Sequence, residues 1–428
     1  MIVVPLVVPE TPVGVRALEP LVAAWGRQVM QQAMATAWAA QARQRSLPPC
    51  PACGAPESRP AGTKARRVET VFGPVALPRQ RRRCVACGRH FQPDDAVLAD
   101  DLGAGRLSPQ LRELAALCGV SWPYRQAADV LGRLRGAPLA AETVRAVVRT
   151  IGQAVSAALA QEGAAASAPP ATAPAPGQAA PARVEVELDG AWVHSHDNGH
   201  GLEVKVGVVH QGSVAAGTRR QALTERTYAA TAQGGAAFGP LLTAVIAARN
   251  GFAAPTQALF GDGAAWIWRL GGDLLPAATR VLDRWHLTDA RRRALRSALP
   301  DKTARTPWTV RLEERLEVGD VPGARSVLAE VATIAPHPAL AAFADYITTL
   351  ASCIPDYAAR RAAGERIGSG GIEKGVDIVV NRRCKGRRGM RWWRDRIEQL
   401  VALRVTLLNN AWDQRLPAAL IAQPRPAF

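Results

Sequence analysis

What the 428-residue chain lacks narrows it first. It has no run of about eighteen apolar residues, the least that a membrane-spanning helix needs, and no long basic amphipathic helix at either end. A membrane partner is therefore not expected. The opening MIVVPLVVPETP is apolar but short, carries prolines and has no basic leader, so it does not read as a signal peptide. Acids are scarce beside bases: 36 Asp and Glu against 53 Lys and Arg leave a formal charge of +17, which points to a polyanionic partner. Cysteines are few too, seven in all. Four fall in two CxxC pairs while Cys118, Cys353 and Cys384 are scattered, which suits a reducing compartment and one metal site better than a disulfide framework. A cytoplasmic, nucleoid-associated protein is the expectation. The chain is too long for one ordinary core, so about two to four domains are expected.

Along the chain, Leu21, Val22, Trp25, Val29 and Ala33 fall at helical spacing within an N-terminal helical segment, 1–46. Cys50-Pro-Ala-Cys53-Gly and Cys84-Val-Ala-Cys87-Gly follow, in a module spanning 47–98. Two such knuckles are what a tetrahedral four-thiolate Zn²⁺ site requires. A redox dithiol pair is the alternative, but no βαβ pattern accompanies the cysteines. The alternating stretch between them reads as a hairpin turning at Gly73-Pro74. The run Arg79-Gln-Arg-Arg-Arg83 is either a phosphate contact or a solvated strand edge. Residues 104–162 carry three helical repeats with short breaks, as in a helix-turn-helix-like bundle, with Arg145 and Arg149 on a candidate DNA-facing helix. Such bundles also occur without DNA; the net charge favours DNA. Residues 163–182, an Ala/Pro tract without periodicity, read as a linker.

Three acids then stand out: Asp189 in VEVELDGAWV, Asp262 after the apolar run ALFG, and Glu373 after a glycine-rich turn. Strands are expected at 183–193, 202–210, 221–230, 256–261 and 279–283, with helices at 235–249, 264–274 and from about 287. Three strands followed by alternating helix and strand give a mixed α/β sheet with helices on both faces. In the ribonuclease H-like arrangement of this order the first and fourth strands are parallel neighbours. Asp189 and Asp262 would then meet at one sheet edge, and a helix would bring Glu373. Carboxylates suit Mg²⁺, a hard cation, and two such ions can activate a water or 3′-hydroxyl and stabilise a leaving oxygen. Glu185 and Glu187 share the alternation of Asp189 and could stand in as ligands. The expected catalytic domain comprises 183–304 and 363–412, with a helical insertion at 305–362 and a tail at 413–428. The basic stretch NRRCKGRRGMRWWRDR, with Arg382, Arg383, Lys385, Arg387, Arg388 and Arg391, suits phosphate contact, one tryptophan being core and the following helix docking through one face.

In order, Leu188-Asp189-Gly190 with Trp192-Val193, Lys205-Val206-Gly207, Gly261-Asp262-Gly263 with Trp266-Ile267, Asp283-Arg-Trp-His286, Ile367-Gly-Ser-Gly370 with Ile372-Glu373, and Lys385-Gly386 with Gly389-Met390-Arg391-Trp392 resemble bacterial insertion-sequence transposases of the DDE type, in the branch with an N-terminal zinc ribbon and an Ile-Glu motif. The resemblance covers nearly the whole chain. It implies a ribonuclease H-like catalytic domain, a triad of Asp189, Asp262 and Glu373 on Mg²⁺ or Mn²⁺, and strand cleavage and transfer on double-stranded DNA, both terminal repeats and target. It also implies a homo-oligomer in the active complex. Asp283 and His286 look like a DxxH pair that orders the site and contacts DNA near the cleaved strand; a histidine hydrogen-bonded in the core is the other reading of His286. The chain departs from the family at Gly371 and Lys374-Gly375, where Gly375 would weaken the helix of Glu373. A transposase-derived DNA-binding protein and a ribonuclease H-like nuclease without strand transfer are the alternatives.

Overall fold

A computed structural model gives the fold and describes residues 10–11, 13–103, 105–166, 179–197, 199–215, 221–386 and 389–421. The chain divides into two compact units, Met1–Val155 with Trp412–Phe428, and Ser156–Ala411.

In the first unit, α1 (Val15–Gln44) precedes a three-stranded sheet of β1 (Ser58–Thr70), β2 (Gly73–Cys84) and β3 (His90–Phe91), in that order. Val68, Val75 and Leu77 alternate with exposed positions, so one face of the hairpin is buried against Leu98 and Leu102 of α2 (Asp95–Leu102) and Met34, Ala35 and Trp38 of α1. The turn falls two residues earlier than the glycine-proline pair suggests: Thr70 pairs with Gly73, and the Thr70 hydroxyl accepts the Phe72 N–H at 3.1 Å. Gly73 instead opens β2 at φ +99°, with the Gln31 amide 2.8 Å from where a Cβ would stand. Helices α3 (Pro109–Ser121), α4 (Tyr124–Arg135) and α5 (Ala141–Ala165) follow. Gly119 lets α3 meet α5 closely, since a Cβ there would lie 2.6 Å from a Val148 methyl. The expected linker begins too early, because α5 runs on through Ala165; its alanine-rich end is good helix former. Residues 167–178 of that tract lie outside the described residues.

The second unit is built on a five-stranded mixed sheet. Its strands are β4 (Arg183–Val193), β5 (Leu202–His210), β8 (Thr227–Thr231), β9 (Thr256–Gly261) and β10 (Thr279–Leu282), in the spatial order β10-β9-β4-β5-β8. β4 pairs antiparallel with β5 and parallel with β9, which is in turn parallel to β10. The third expected strand is broken. Glu225 adopts φ +49°, and the preceding residues leave the sheet as β7 (Gln221–Leu223) to pair with β6 (Ser213–Ala215). Val184, Val186 and Leu188 of β4 enter one large core with Phe238 and Leu242 of α6 (Gly235–Ala248) and Ile267 of α7 (Ala265–Leu274). The same core takes in Leu295 of α8 (Arg284–Ala298), Leu316 of α9 (Lys302–Glu317), Leu328 of α10 (Val321–Ile334) and Ile347 of α11 (Pro338–Thr349). The helical insertion is thus a wall of this core and not a body of its own. α8 starts at Arg284, three residues before its expected start, because the Asp283 carboxylate caps it through the His286 N–H.

Beyond α12 (Tyr357–Ala362), α13 (Gly370–Val376) continues through a π-helical turn, Asp377–Asn381, into α14 (Arg382–Cys384). A π turn misaligns carbonyls, and here the buried Arg404 guanidinium donates to those of Ile378 and Val379. Arg404 lies on α15 (Arg394–Leu408), whose residues Ile397–Thr406 are all buried, so this helix does not dock through one face as its pattern suggests. Its polar members are satisfied: the Glu398 carboxylate accepts from the Thr231 hydroxyl at 2.8 Å and the Ala232 N–H at 2.6 Å. The last helix, α16 (Trp412–Ile421), belongs to the first unit and not to a free tail.

Candidate functional site

Parallel register gathers the acids of the second unit. The β4–β9 pairing runs as far as Glu187 opposite Phe260, and two more residues along the same register level Asp189 with Asp262. The β9–β10 pairing ends at Gly261 opposite Leu282, so the next step levels Asp262 with Asp283, whose N–H reaches the Gly261 carbonyl at 2.9 Å. Three aspartates therefore stand level on three neighbouring parallel strands, Asp262 and Asp283 just past the carboxyl ends of β9 and β10 and Asp189 within β4, where its pairing with β9 has ended. Helix α13 lies against β4 and β5 and carries Glu373, exposed, to the same place. Asp189, Asp262 and Glu373 make no ion pair with lysine or arginine among the described residues.

The electrostatics follow from this crowding. Burial, reinforced by repulsion from Asp262 and Glu373, pushes the Asp189 carboxyl up to about 6, against the pull of the Gly190 N–H and His286. Burial works the same way on Asp283, but hydrogen bonds from His286 and Ser369 outweigh it and hold that carboxyl at about 2. One Asp283 oxygen takes the His286 N–H and faces Nδ1 at 3.1 Å; the other takes the Ser369 N–H at 2.6 Å and hydroxyl at 2.9 Å. Asp283 is a clamp, tying the start of α8 to the turn before α13 with both oxygens occupied. His286, half-buried, is raised above the ordinary imidazole value chiefly by Asp283, with Asp262 and Glu373 adding to the effect. Asp262 keeps one oxygen on the Ala264 N–H at 2.8 Å.

The turn before α13 is held from beneath. Glu187, fully buried, accepts the Ile372 N–H at 2.8 Å through one oxygen and meets the Arg366 guanidinium at 2.5 Å and His210 Nε2 at 2.9 Å through the other. His210 Nδ1 lies 3.2 Å from the Gly212 nitrogen and 3.1 Å from its carbonyl, while Nε2 faces both Glu187 and the Arg366 guanidinium at 2.9 Å. Glu185 is buried beside Arg183, His210 and Arg366. Neither glutamate is a free ligand, so neither stands in for a triad member: buried carboxylates need these partners. Gly371 belongs to the same arrangement, since a Cβ there would lie 2.6 Å from a Glu187 oxygen. Gly375 likewise packs on the Tyr228 ring, which a Cβ would reach at 3.2 Å. Sequence reading missed Arg366, His210 and Ser369. Their only signal was polar residues in otherwise apolar or glycine-rich stretches.

Another residue unforeseen in the sequence is Tyr346 of α11. Its ring covers Gly263, and burial together with the Asp262 carboxylate pushes its pKa up to about 12, so it stays a hydrogen-bond donor.

In the first unit the sulfurs of Cys50, Cys53, Cys84 and Cys87 all lie within 4.8 Å of one another, and among the described residues this is the one group of metal-ligand type so tightly drawn. Asp189, Asp262 and Glu373 do not form such a group. Cys50 and Cys87 stand 3.7 Å apart and Cys53 and Cys84 3.6 Å, close to the roughly 3.8 Å edge of a tetrahedron with bonds of about 2.3 Å to zinc. All seven cysteines are free thiols, and the four-cysteine cluster can hold a zinc ion.

The basic residues divide. Arg145, paired with Glu142, and Arg149 are exposed on α5, opposite Val144 and Val148. Arg382 is exposed but ion-paired with Asp377 at 3.0 Å. Arg383 is a correction: it is buried, its guanidinium over the Trp392 ring, and faces no solvent. The turn of helix beyond the π stretch rotates it inward. Lys385 and Arg391 are exposed; Arg387 and Arg388 lie outside the described residues. Trp392 is buried, its indole N–H on the Cys384 carbonyl, while Trp393 is exposed and stacks on His196. Lys385 and Arg391 border a cavity of about 680 Å³ whose other wall is the exposed Trp192 with His194 and His200. No helix among the described residues is long and apolar enough to cross a membrane.

Fold and sites together define a mixed α/β protein with a four-cysteine cluster able to hold a metal ion in one unit and a carboxylate cluster at the sheet edge of the other. The chain belongs to the uncharacterised protein family UPF0236, whose profile matches residues 61–414. That match starts after the first cysteine pair and includes the whole acidic cluster. No curated protein matches the chain.

Proposed function

We propose that this protein is a DNA transposase of the DDE type, cleaving DNA at the ends of a mobile element and joining them to target DNA. The observation that carries the reading is the levelling of Asp189 with Asp262 by parallel register, with Glu373 brought alongside and no lysine or arginine paired with them among the described residues. The spatial order of the five strands, third-second-first-fourth-fifth in chain order, is that of a ribonuclease H-like sheet and supports the same reading. In α/β sheets, ligands bind outside the carboxyl ends of the strands, and Asp262 follows the carboxyl end of β9.

The donor set fits divalent cations. Crowded carboxylates, one of them titrating near 6, carry a repulsion that a hard cation would relieve. Asp189, Asp262 and Glu373 would hold the ions, Mg²⁺ or Mn²⁺. Two such ions supply activation of the attacking water or 3′-hydroxyl and stabilisation of the leaving oxygen. Asp283 orients the His286 ring and, through Ser369, fixes the turn that presents Glu373. His286, oriented by Asp283, sits to contact the anionic strand. The cysteine cluster binds zinc as the structural element of the first unit. DNA affinity comes from Arg145, Arg149, Lys385 and Arg391, and the active complex is a homo-oligomer on double-stranded DNA, formed in the cytoplasm at the nucleoid.

The test is cleavage and joining by the full chain on a supercoiled plasmid carrying the DNA that flanks its gene, with Mg²⁺ or Mn²⁺. Strand transfer that disappears in Asp262→Asn, with DNA binding intact, supports the reading. Cleavage without joining points to a nuclease, and binding without cleavage to a transposase-derived binding protein. Asp262→Asn working at the rate of the unaltered chain refutes the site.

A further inference from the structure

Tyr346 comes from the helical insertion, yet it meets the acidic cluster. Its ring lies over Gly263, the residue after Asp262: a Cβ there would stand 2.5 Å from Cε2 and 2.9 Å from the phenolic oxygen. The glycine is required by this approach, because any side chain would push the ring off. Two contacts fix the ring. The buried Phe343 stacks on it at 6.3 Å between centroids, and α11 packs on α8, the helix that Asp283 caps and whose first turn carries His286. The other tyrosine of this wall, Tyr357, spends its hydroxyl on the Leu282 carbonyl at 2.8 Å. The Tyr346 hydroxyl has no hydrogen-bond partner among the described residues and is not sealed from solvent, so it is open to a ligand beside Asp262. A donor held rigidly beside a carboxylate cluster, with its own partner missing, is placed for an anionic oxygen that arrives with a ligand.

We infer that Tyr346 is a further catalytic residue whose phenolic O–H donates to a non-bridging oxygen of the phosphate held against Asp262. This rests on the reading of the acidic cluster as a phosphodiester-cleaving site. The proton stays on the phenol throughout: the bond stabilises charge developing on the phosphate oxygens, and no covalent bond to the tyrosine forms or breaks. It also gives the insertion a purpose, since α11 delivers the donor that the sheet itself cannot reach.

Tyr346→Phe keeps the ring over Gly263 and removes only the oxygen. In the full chain, on the supercoiled plasmid with the gene's flanking DNA and Mn²⁺, the expected result is cleavage slowed about a hundredfold, with DNA affinity and melting temperature unchanged. A purely structural ring predicts the opposite, full activity in the phenylalanine variant, and that result overturns the inference. Loss of DNA affinity in step with the rate also overturns it, because the contact would then be made in the ground state alone. Asp262→Asn in parallel separates the two levels. If it is inert while Tyr346→Phe is fully active, only the role of Tyr346 falls. If Asp262→Asn cleaves like the unaltered chain, or the unaltered chain leaves the plasmid intact, the reading of the site falls and this inference with it.

Discussion

Replacing Asp189 by asparagine should stabilise the protein in the absence of divalent cations, and only above a defined pH. The side chain is half-buried within β4, crowded by Asp262 and Glu373, and it titrates near 6 where an ordinary aspartate titrates at 3.8. Below 3.8 the carboxyl is protonated in both folded and unfolded chains and costs nothing. Between 3.8 and about 6 the unfolded chain loses the proton first, so folding becomes progressively less favourable. Above that range the full penalty is present, about 3 kcal/mol at 1.36 kcal/mol per tenfold change in proton affinity. Partial exposure screens the charge and reduces this to about 1–2 kcal/mol. Asparagine mimics the protonated acid and keeps an acceptor for the Gly190 N–H. Melting in EDTA should therefore rise by roughly 2–8 °C at about pH 8 in Asp189→Asn, and match the unaltered chain near pH 4. Adding Mn²⁺ should reverse the order at pH 8, since only the carboxylate gains from the ion. A variant that melts at or below the unaltered chain in EDTA at pH 8 would refute the account of a repulsive acidic cluster.

Glu187→Ala removes the acceptor of the Ile372 N–H and leaves Arg366 facing a buried void; the expected loss is about 3–5 kcal/mol by chemical denaturation, and a loss under about 1 kcal/mol would rule out the clamp. Glu187→Gln, which keeps an acceptor, should lose less. Metal analysis of the purified chain should find one zinc ion that disappears when Cys84→Ser and Cys87→Ser are combined; zinc retained by that variant, or none in the unaltered chain, argues against the four-thiolate site. Replacing Lys385 and Arg391 by alanine should weaken binding to any duplex alike and flatten the log–log salt dependence by about 0.9 for each phosphate that is no longer neutralised. An unchanged slope would return both residues to the solvated surface.

Much of the second unit was legible because its signals are local. Alternation along VEVEL gives a strand with Asp189 opposite Leu188, and a carboxylate closing an apolar run gives the tip of β9. The misreadings were local too, but decided by partners elsewhere. The segment 221–230 has one composition and two fates, because Glu225 takes a left-handed conformation and β7 pairs with β6. Arg383 looks like its basic neighbours, yet α14 turns it onto Trp392. The α15 pattern suggests one apolar face, but Thr231 and the Ala232 N–H bury Glu398, and the π-turn carbonyls bury Arg404.

The sequence by itself determined four of the five strands of the main sheet and most of the helices, the hairpin between the cysteine pairs, and which acids face away from the core. Each of these depends on period or on spacing within a few residues, and physical chemistry at that range is written directly in the chain. Only the tertiary structure decided that Asp189, Asp262 and Asp283 stand level, because strand register is a relation between segments and no single segment carries it. It alone separated Glu187, spent on holding the turn before Glu373, from Asp189 two residues on along the same face of β4. It alone brought Tyr346 across Gly263 from a helix that the sequence offers only as an insertion. A buried charge or an idle hydroxyl is defined by the atoms around it, and those atoms are supplied by folding.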